Sequence, residues 1–336
     1  MSQLRPPPQV LEIARRLESK GFEAWCVGGA IRDVLLGHPH LDWDFATSAR
    51  PEQVRTLFGH RNTIPVGMDF GTVGVLDADG VMHEVTTFRR DVRTDGRHAE
   101  VEFGVSLDDD LARRDFTINA IAYSPTRDEL RDPFKGREDI KRGLVRAVGD
   151  PEARMREDRL RALRAIRFAA RFGFEIDDAT MRAIRSSAPH LGRLSAERVK
   201  QEVEKTMDQV TRPATAFGLW RSTGAFTTLI PSLAGVSDAD LAVIDALARP
   251  SLPRRPQRRL NRIAALLLPL GKDSAAVLTS LRFSKQETNW VATIVERSRG
   301  VGAEIRQAVL SRADVSDATI RRWVAGVGRL HIGGVL

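Results

Sequence analysis

Residues 26–47 read CVGGAIRDVLLGHPHLDWDFAT, and this stretch decides how the rest of the chain is interpreted. Apolar residues over 22–27 predict a strand, and Gly28 and Gly29 then open a helix predicted over 30–36. A strand, a glycine turn and a helix N-terminus together form an anion site, because main-chain N–H groups can approach the anion closely. A plain tight turn explains the same two glycines, and the stretch alone does not separate these interpretations.

Asp42 and Asp44 lie one residue apart in a strand predicted over 41–46. Successive side chains of a strand alternate between its faces, so the two carboxylates point the same way while Trp43 and Phe45 point to the other face. Adjacent carboxylates on one face repel each other unless a cation lies between them. A solvated polar edge is the alternative, but the apolar flanking residues indicate a buried strand and favour a metal site.

A hairpin is predicted next, with strands over 70–76 and 81–88 around the turn at 77–80. Glu84 lies in its second strand, where a third carboxylate would complete an acidic cluster for two Mg²⁺ ions. The charged stretch RRDVRTDGRHAE at 89–100 lacks periodicity, so we expect a mobile loop without regular structure. Such a loop is either a solvated surface segment or a functional lid.

The stretch LDDDLARRDFTINA at 107–120 holds a second candidate group of polar residues. Arg113 and Arg114 are suited to phosphate oxygens, and Asp115 and Asn119 to the hydroxyl groups of a ribose. A set of surface salt bridges is the alternative interpretation of the same residues.

The turn residues at 149–151 predict a domain change, after which the sequence pattern is helical. We expect one long helix over 151–172, with Glu157, Asp158, Arg161 and Arg164 near one another. These residues either form salt bridges on a solvent-exposed helix face or recognise the base of a nucleotide. Cytosine and adenine both present an amine donor beside a ring-nitrogen acceptor, so an Asp-x-x-Arg pair selects them over uracil and guanine.

Length, composition and charge limit the number of domains, the cellular compartment and the class of partner. The 336 residues are enough for two or three domains, and the single cysteine, Cys26, excludes an internal disulfide and fits a reducing cytoplasmic location. The longest apolar run, 263–270, is far shorter than a membrane span, so no membrane association is expected. The formal charge of +8, supplied mostly by arginine, suggests a polyanionic partner. A GC-rich genome explains the arginine equally well.

Several motifs, taken in order, resemble the class II tRNA nucleotidyltransferases, which comprise the bacterial CCA-adding enzymes and their poly(A) polymerase relatives. The resemblance runs from about residue 26 to 205 and is carried by GGAIRD, LDWDFAT, EVTTFR, RRDFTINA, DPFKGREDI, VGDPEARMREDRLRALRAIRFAARFGF and SAERVKQEVEK. It implies an α+β fold, with a palm-like mixed-sheet head followed by all-α neck and body domains. The implied boundaries are 1–148 for the head, 149–210 for the nucleotide-selecting neck and 211–336 for the body.

The resemblance also implies a reaction: template-independent addition of CMP and AMP to the 3′ end of tRNA, with CTP and ATP as donors and no partner protein. It implies Mg²⁺ ligands at Asp42 and Asp44 and a third acidic residue of the site at Glu84. The residues that it assigns to nucleotide binding are Gly28, Gly29, Arg32, Asp33, Arg113, Arg114, Asp115, Asn119, Glu157, Asp158, Arg161, Arg164 and Arg167.

The chain departs from the family pattern at two places. Arg159 stands where a proline usually follows Glu-Asp, and we expect little effect on base choice because it lies outside the Asp158/Arg161 pair. The chain ends at 331–336 where relatives usually continue, so the body is expected either to be short or to lack its tail.

Three alternatives stay open. A poly(A) polymerase and a CC-only or A-only tRNA nucleotidyltransferase use the same scaffold, and a catalytically silent RNA-binding protein is the rival from another class. The near-full length of the 89–100 loop favours complete CCA addition, and the acidic pair argues against a simple RNA binder, which gains nothing from carboxylates facing phosphate.

Overall fold

The chain folds as an α+β protein, with a mixed sheet in its N-terminal part and helices after it, which confirms the predicted fold class. The structure is a computed structural model and describes residues 4–38, 43–94, 99–247, 257–328, 331 and 335. Packing divides the chain into two units. Unit 1 comprises Met1–Arg161 and Phe174–Ala183, and unit 2 comprises Ala162–Gly173 and Ile184–Leu336. The predicted head, neck and body boundaries differ from this division and stay a prediction, because packing does not test functional roles.

Unit 1 is built on a seven-stranded sheet with strand order β3-β4-β5-β2-β1-β8-β9. β2 runs parallel to β5, and the other neighbouring pairs are antiparallel. In chain order the strands are β1 (Ala24–Val27), β2 (Asp44–Thr47), β3 (Thr63–Gly67), β4 (Thr72–Leu76), β5 (Met82–Thr87), β6 (Arg89–Thr94), β7 (Ala99–Phe103), β8 (Ala122–Ser124), β9 (Glu129–Arg131), β10 (Leu144–Val145) and β11 (Glu175–Ile176).

Helices cover both faces of this sheet. The helices that begin in unit 1 are α1 (Pro8–Glu18), α2 (Gly29–Leu35), α3 (Pro51–Phe58), α4 (Leu107–Ala112), α5 (Gly136–Arg142), α6 (Pro151–Glu157), α7 (Leu160–Phe172) and α8 (Asp178–Ser187). Phe45 and Val85 join apolar residues of α1, α2 and α3 in a core on one face. Ala46 and Val27 join Leu111 of α4 on the other. The central strands are therefore buried on both faces, which fits their runs of apolar residues.

The predicted loop over 89–100 is wrong for the described residues, because β6 and β7 form an antiparallel two-stranded ribbon. Arg90 and Glu102 pair across it with 2.7 Å between Nη2 and Oε2, and both side chains are about half exposed. Apolar and polar residues alternate in β7, which reads AEVEF, and this alternation is the period of a strand. Residues 95–98 lie outside the described part.

The single helix expected over 151–172 is also wrong, since α6 ends at Glu157 and α7 starts at Leu160. Asp158 has an extended backbone (φ −145°, ψ 104°), and its Oδ1 accepts a hydrogen bond from the Leu160 N–H at 3.0 Å. Aspartate is a preferred N-cap, so this residue ends one helix and starts the next. The strand β11 lies after residue 151, where the sequence predicts only helices. It pairs with β10, which precedes that part.

Unit 2 is helical in the part that the structure describes. Its further helices are α9 (Ala196–Gln209), α10 (Pro213–Thr223), α11 (Ala225–Leu229), α12 (Asp238–Ala246), α13 (Gln257–Leu267), α14 (Ser274–Ser280), α15 (Lys285–Arg299), α16 (Val301–Ser311) and α17 (Asp317–Val327). Serine side chains cap several of them, including Ser195 at α9 as predicted. Phe217, Trp220 and Phe226 pack together with ring centroids 5.6–6.0 Å apart.

One stretch of unit 2, Arg258–Ser280 (23 residues), is long enough and apolar enough for a membrane-spanning helix by length and composition alone. It is not a single α-helix, because Gly271 adopts φ 56° and ψ −122° inside the 3₁₀ segment Leu268–Asp273 that separates α13 from α14. Ile263 and Leu266 are buried in the fold. The packing of unit 2 thus accounts for the apolar character of this stretch.

Candidate active site

Asp44 begins β2, near the centre of the sheet. Phe45 is paired with Val85 of β5, and both side chains lie in the core that packs on α1, α2 and α3. Asp44 and Glu84 each precede one of these residues, so side-chain alternation puts both carboxylates on the opposite face of the sheet. Asp44 is half-buried and Glu84 is exposed. Asp42 lies outside the described residues, so its place beside Asp44 stays a prediction.

Asp44 lies close enough to Cys26 of β1 for its charge to act on the thiol. The thiol of Cys26 in β1 is fully buried, and burial raises its pKa well above the ordinary value, with a further contribution from the negative charge of Asp44.

The donor chemistry fits the predicted ion. Asp44 and Glu84 offer carboxylate oxygens, the hard ligands that Mg²⁺ prefers. Among the described residues, which leave out Asp42, no group of three or more His, Cys, Asp and Glu side chains is placed to hold a metal ion. Any complete site would therefore need Asp42 or ligands from a substrate.

The glycine turn between β1 and α2 accommodates an arginine. Gly28 has φ 72° and ψ −127°, a conformation that side chains of L-residues rarely adopt. A Cβ at this position would lie 3.0 Å from Nη1 of Arg114. Gly28 is thus needed both for the turn and for the close approach of a predicted phosphate-binding guanidinium.

Buried hydrogen bonds join the first motif to the RRDFTINA motif. Nε of Arg32 donates to Oδ1 of Asp33 at 2.8 Å, and Nη1 of Arg32 donates to Oδ1 of Asn119. Nδ2 of Asn119 in turn donates to Oδ1 of Asp115 at 2.9 Å. Each of these four side chains is less than a tenth exposed. The structure therefore brings four predicted nucleotide-binding residues into one network.

Asp110 is a residue of this site that sequence reasoning missed. It is fully buried, and its carboxylate accepts from Nε of Arg113 at 2.9 Å and from Nη2 of Arg114 at 3.0 Å. Burial acts to raise the pKa of Asp110, but the positive charges of Arg114 and Arg113 and their hydrogen bonds lower it overall. The sequence indicates these ion pairs, because Asp110 lies three residues before Arg113 and four before Arg114, the spacing of side chains that meet on one helix face.

The helix break at Asp158 lies beside the predicted base-reading residues. Glu157 accepts from Nη1 of Arg161 at 2.7 Å, and Nη1 of Arg161 also donates to the carbonyl of Arg154 at 3.1 Å. Nη2 of Arg161 donates to the carbonyl of Arg113 at 3.1 Å. Arg161 therefore links the base-reading motif to the RRDFTINA motif within unit 1.

Residues of the DPFKGREDI motif support this network through the turn that carries Asn119. Asp132 accepts hydrogen bonds from the backbone N–H groups of Gly136 (2.7 Å) and Arg137 (3.0 Å) and so fixes the start of α5. Asp139, which is fully buried, accepts from the Thr117 hydroxyl at 2.6 Å. These residues hold the turn Thr117–Asn119 in place, and that turn carries Asn119.

Arg164 and Arg167, the two remaining predicted nucleotide-binding residues, belong to unit 2. Arg167 is buried, and its guanidinium donates to Glu202 at 2.7 Å through Nε and to Gln209 at 3.1 Å through Nη1. The guanidiniums of Arg164 and Arg167 lie 5.4 and 4.5 Å from the ring centre of Phe168. Within unit 2, Arg167 therefore has a packing role, and a nucleotide contact from either arginine stays a prediction.

Two family models match the chain. One, described as "Poly A polymerase head domain", matches residues 24–146, and the other, described as "Probable RNA and SrmB- binding site of polymerase A", matches residues 173–236. The first match contains the acidic strands, the glycine turn and the RRDFTINA motif.

Known proteins with high similarity share one name. The chain is 48% identical over 197 residues to a CCA-adding enzyme of Leuconostoc mesenteroides, an alignment that covers 58% of this chain and 48% of the relative. It is 43% identical over 258 residues to a CCA-adding enzyme of Geobacillus stearothermophilus, which covers 76% of this chain and 62% of the relative. The chain thus spans 48–62% of the length of these curated relatives.

A solved structure has the same architecture over most of its length. The crystal structure of the Bacillus stearothermophilus CCA-adding enzyme in complex with CTP aligns with a TM-score of 0.75 at 35% identity. The alignment covers 96% of this chain and 84% of that chain.

Proposed function

This chain belongs to the family of the tRNA nucleotidyltransferases and poly(A) polymerases, and we propose that it adds CMP and AMP to the 3′ end of tRNA without a nucleic-acid template. CTP and ATP are the proposed donors, and the cytoplasm, where tRNA is used, is the proposed location. The observation that carries the proposal is the hydrogen bond from Arg161 to the carbonyl of Arg113, because it joins the base-reading motif to the phosphate-binding motif.

The relatives support these substrates. Those with 43–48% identity are named CCA-adding enzymes, and the Bacillus stearothermophilus enzyme was solved with CTP. The net charge of +8 suits a polyanion such as tRNA, since arginine forks match phosphate oxygens.

Base selection is assigned to Asp158 and Arg161. The three hydrogen bonds that Arg161 makes use three of its five N–H groups, so two remain for a ligand. An arginine donor beside an aspartate acceptor matches the Watson–Crick edges of cytosine and adenine and mismatches those of uracil and guanine. Glu157 fixes the guanidinium plane of Arg161 and thereby its direction.

Phosphate binding is assigned to Arg113 and Arg114. Asp110 holds both guanidiniums by charge-assisted hydrogen bonds, so their positions are set before a triphosphate arrives. Preorganised charge of this kind is the main way in which proteins accelerate phosphoryl and nucleotidyl transfer.

The carboxylates of Asp42, Asp44 and Glu84 are assigned to the reacting end of the triphosphate. Family members generally use divalent ions, and we propose Mg²⁺ held by Asp42 and Asp44. When bound, the ions supply Lewis-acid activation of the tRNA 3′-hydroxyl and neutralise charge on the pyrophosphate. The protein's own contribution is to orient the carboxylates on one face of the sheet, with Asp44 on β2 and Glu84 on the neighbouring strand β5.

The test uses tRNA transcripts that end before the first C, before the second C or before the final A. Each is incubated with Mg²⁺ and one nucleoside triphosphate at a time, and product lengths are read on a gel. We expect CMP addition to the first two transcripts and AMP addition to the third, with no extension beyond CCA. The variant Asp44→Asn should lose activity by orders of magnitude, whereas Asp79→Asn, an exposed turn residue, should not.

Other outcomes identify the rivals. Long AMP tails on many primers indicate a poly(A) polymerase, and extension of one transcript class alone indicates a CC-only or A-only enzyme. Tight tRNA binding with no extension by any nucleotide contradicts the proposal and indicates an RNA-binding protein.

A further inference from the structure

A buried histidine, His83 in β5, is hydrogen-bonded on both sides of its ring and has no role so far. Its side chain is 2% exposed. Nδ1 lies 3.1 Å from the carbonyl oxygen of Trp43, and Nε2 lies 3.1 Å from Oδ2 of Asp77. Each partner is an acceptor, so the ring donates both hydrogen bonds only when both of its nitrogens carry a proton, and a neutral ring donates one of them.

The contact with Trp43 acts on the strand that bears the acidic residues. The carbonyl group of Trp43 and the N–H group of Asp44 belong to the same planar peptide unit. Pairing within β2 begins at Asp44, so Trp43 precedes the strand ladder. A hydrogen bond to the Trp43 carbonyl therefore fixes the plane from which Asp44 projects its carboxylate.

The other side of the ring is anchored as well. Asp77 begins the turn between β4 and β5, and its Oδ1 accepts hydrogen bonds from the backbone N–H groups of Asp79 and Val81, both at 2.9 Å. Burial acts to raise the pKa of Asp77, but the hydrogen bonds from His83, Val81 and Asp79 lower it overall. The turn, the carboxylate and the ring thus form one rigid support.

We propose that His83 is a positioning residue that sets the orientation of the Asp44 carboxylate for metal-dependent nucleotidyl transfer, with Asp77 holding the ring. The inference rests on the proposed function of Asp44 as a ligand of the catalytic ions. It needs only the hydrogen bond from Nδ1 to the Trp43 carbonyl. Residues that orient metal ligands from behind typically change metal affinity or activity by about 10- to 100-fold when they are lost.

Replacing His83 by asparagine or by glutamine separates its two hydrogen bonds, because the amide groups of these side chains lie at different distances from the backbone. The Nδ2 atom of asparagine is bonded to Cγ, as Nδ1 of histidine is, so His83→Asn keeps a donor toward Trp43. The amide of glutamine reaches the position of Nε2 instead, so His83→Gln keeps a donor toward Asp77 and loses the one toward Trp43. His83→Leu removes both, and Asp77→Asn is compared with Asp79→Asn, a change in the same turn that does not touch the ring.

Two readouts are measured on the full chain. Mn²⁺ binding in the presence of CTP is followed by electron paramagnetic resonance, and CMP addition to tRNA is resolved into kcat and KM for tRNA. We expect His83→Gln and His83→Leu to weaken Mn²⁺ binding and lower kcat by about 10- to 100-fold with KM for tRNA unchanged. His83→Asn should stay within about threefold of wild type, a difference of about 0.7 kcal/mol at most.

The outcomes separate the inference from the function on which it rests. Wild-type Mn²⁺ affinity and kcat in both His83→Gln and His83→Leu would overturn the inference, as would equal losses in His83→Asn and His83→Gln at equal thermal stability. If wild-type protein extends no tRNA, the proposed function fails, and the Mn²⁺ series still decides whether His83 positions the ligand. If His83→Leu does not fold, the comparison of the two amide variants decides.

Discussion

Gly136 opens α5 where it packs against the turn that carries Asn119, and its replacement by alanine is the most informative single perturbation of the head. A Cβ on Gly136 would lie 2.1 Å from the carbonyl oxygen of Thr117, 2.8 Å from its carbonyl carbon and 2.9 Å from Cγ1 of Ile121. Two of these atoms are backbone and cannot rotate away. Gly136→Ala therefore requires α5 or the Thr117–Asn119 turn to move.

The size of the movement sets the energetic cost. Real Cβ atoms essentially never lie closer than 3.0 Å to a neighbour, so the 2.1 Å contact must lengthen by at least 0.9 Å. Hydrogen bonds from Gly136 and Arg137 to Asp132 resist this shift. Overpacking lowers the free energy of unfolding by about 1–3 kcal/mol. We expect about 3 kcal/mol here, because the contacted backbone atoms cannot rotate away. Alanine regains about 1 kcal/mol through its lower entropy in the unfolded chain, which leaves a net loss of about 2 kcal/mol.

Hydrogen exchange followed by mass spectrometry is the suitable assay, because two compact units do not have to unfold together. A loss of about 2 kcal/mol should speed the exchange of slow amides in α5 and β8 by about 30-fold, since 1.4 kcal/mol is tenfold. Gly218→Ala in α10 is the matched control. A Cβ there meets nothing within 4 Å, and it should be neutral or slightly stabilising.

Function should change with the position of Asn119. Asn119 links Arg32 to Asp115, so a displaced turn disturbs the network as a whole. We expect Gly136→Ala to raise KM for CTP more than KM for tRNA. Unchanged exchange in α5 together with wild-type kinetics would refute the reasoning, because it would mean that the 2.1 Å contact relaxes without cost.

Two further predictions concern the same site. Asp110→Asn should lower the free energy of unfolding by about 2–3 kcal/mol at pH 7, because a charge-assisted hydrogen bond to Arg113 or Arg114 is lost. The pKa of Asp110 is lowered in the fold, so its contribution is complete above the ordinary value of about 3.9 and is lost as pH falls through the lower, native value. Urea unfolding of wild type and variant should therefore converge below about pH 4, and a constant difference down to pH 2 would contradict the assignment. Replacing Asp158 and Arg161 together by alanine should raise incorporation of UMP and GMP relative to CMP in single-turnover assays, and unchanged discrimination would exclude these residues as the base readers.

The sequence by itself determined the fold class and most of the local elements of the head. The strand over 24–27, the helix Gly29–Leu35 and the hairpin of β4 and β5 follow from periodicity and turn residues. These elements are specified by neighbouring residues, so they can be predicted without knowledge of what packs on them. The family motifs added the order of the functional groups along the chain.

The sequence misled where a local pattern had two physical solutions. A mostly polar stretch such as Arg89–Thr94 is compatible with a loop or with one strand of a ribbon, and only pairing with Ala99–Phe103 decides between them. The pattern of α6 and α7 is continuous, but the Asp158 carboxylate competes for a backbone N–H and breaks the helix. The first error arises because one segment does not show which strand will pair with it, and the second because hydrophobic periodicity carries no information about side-chain hydrogen bonds.

Tertiary structure alone decided how the candidate groups are joined. Asp44 and Glu84 are 40 positions apart and share a face only through the parallel register of β2 and β5. Arg161 reaches the carbonyl of Arg113, and His83 reaches that of Trp43, through contacts that no spacing in the sequence encodes. Residue types and motifs thus determined which chemistry this chain can carry, whereas packing of distant segments determined where each charge lies, because hydrogen bonds and charge pairs depend on distance in space and not along the chain.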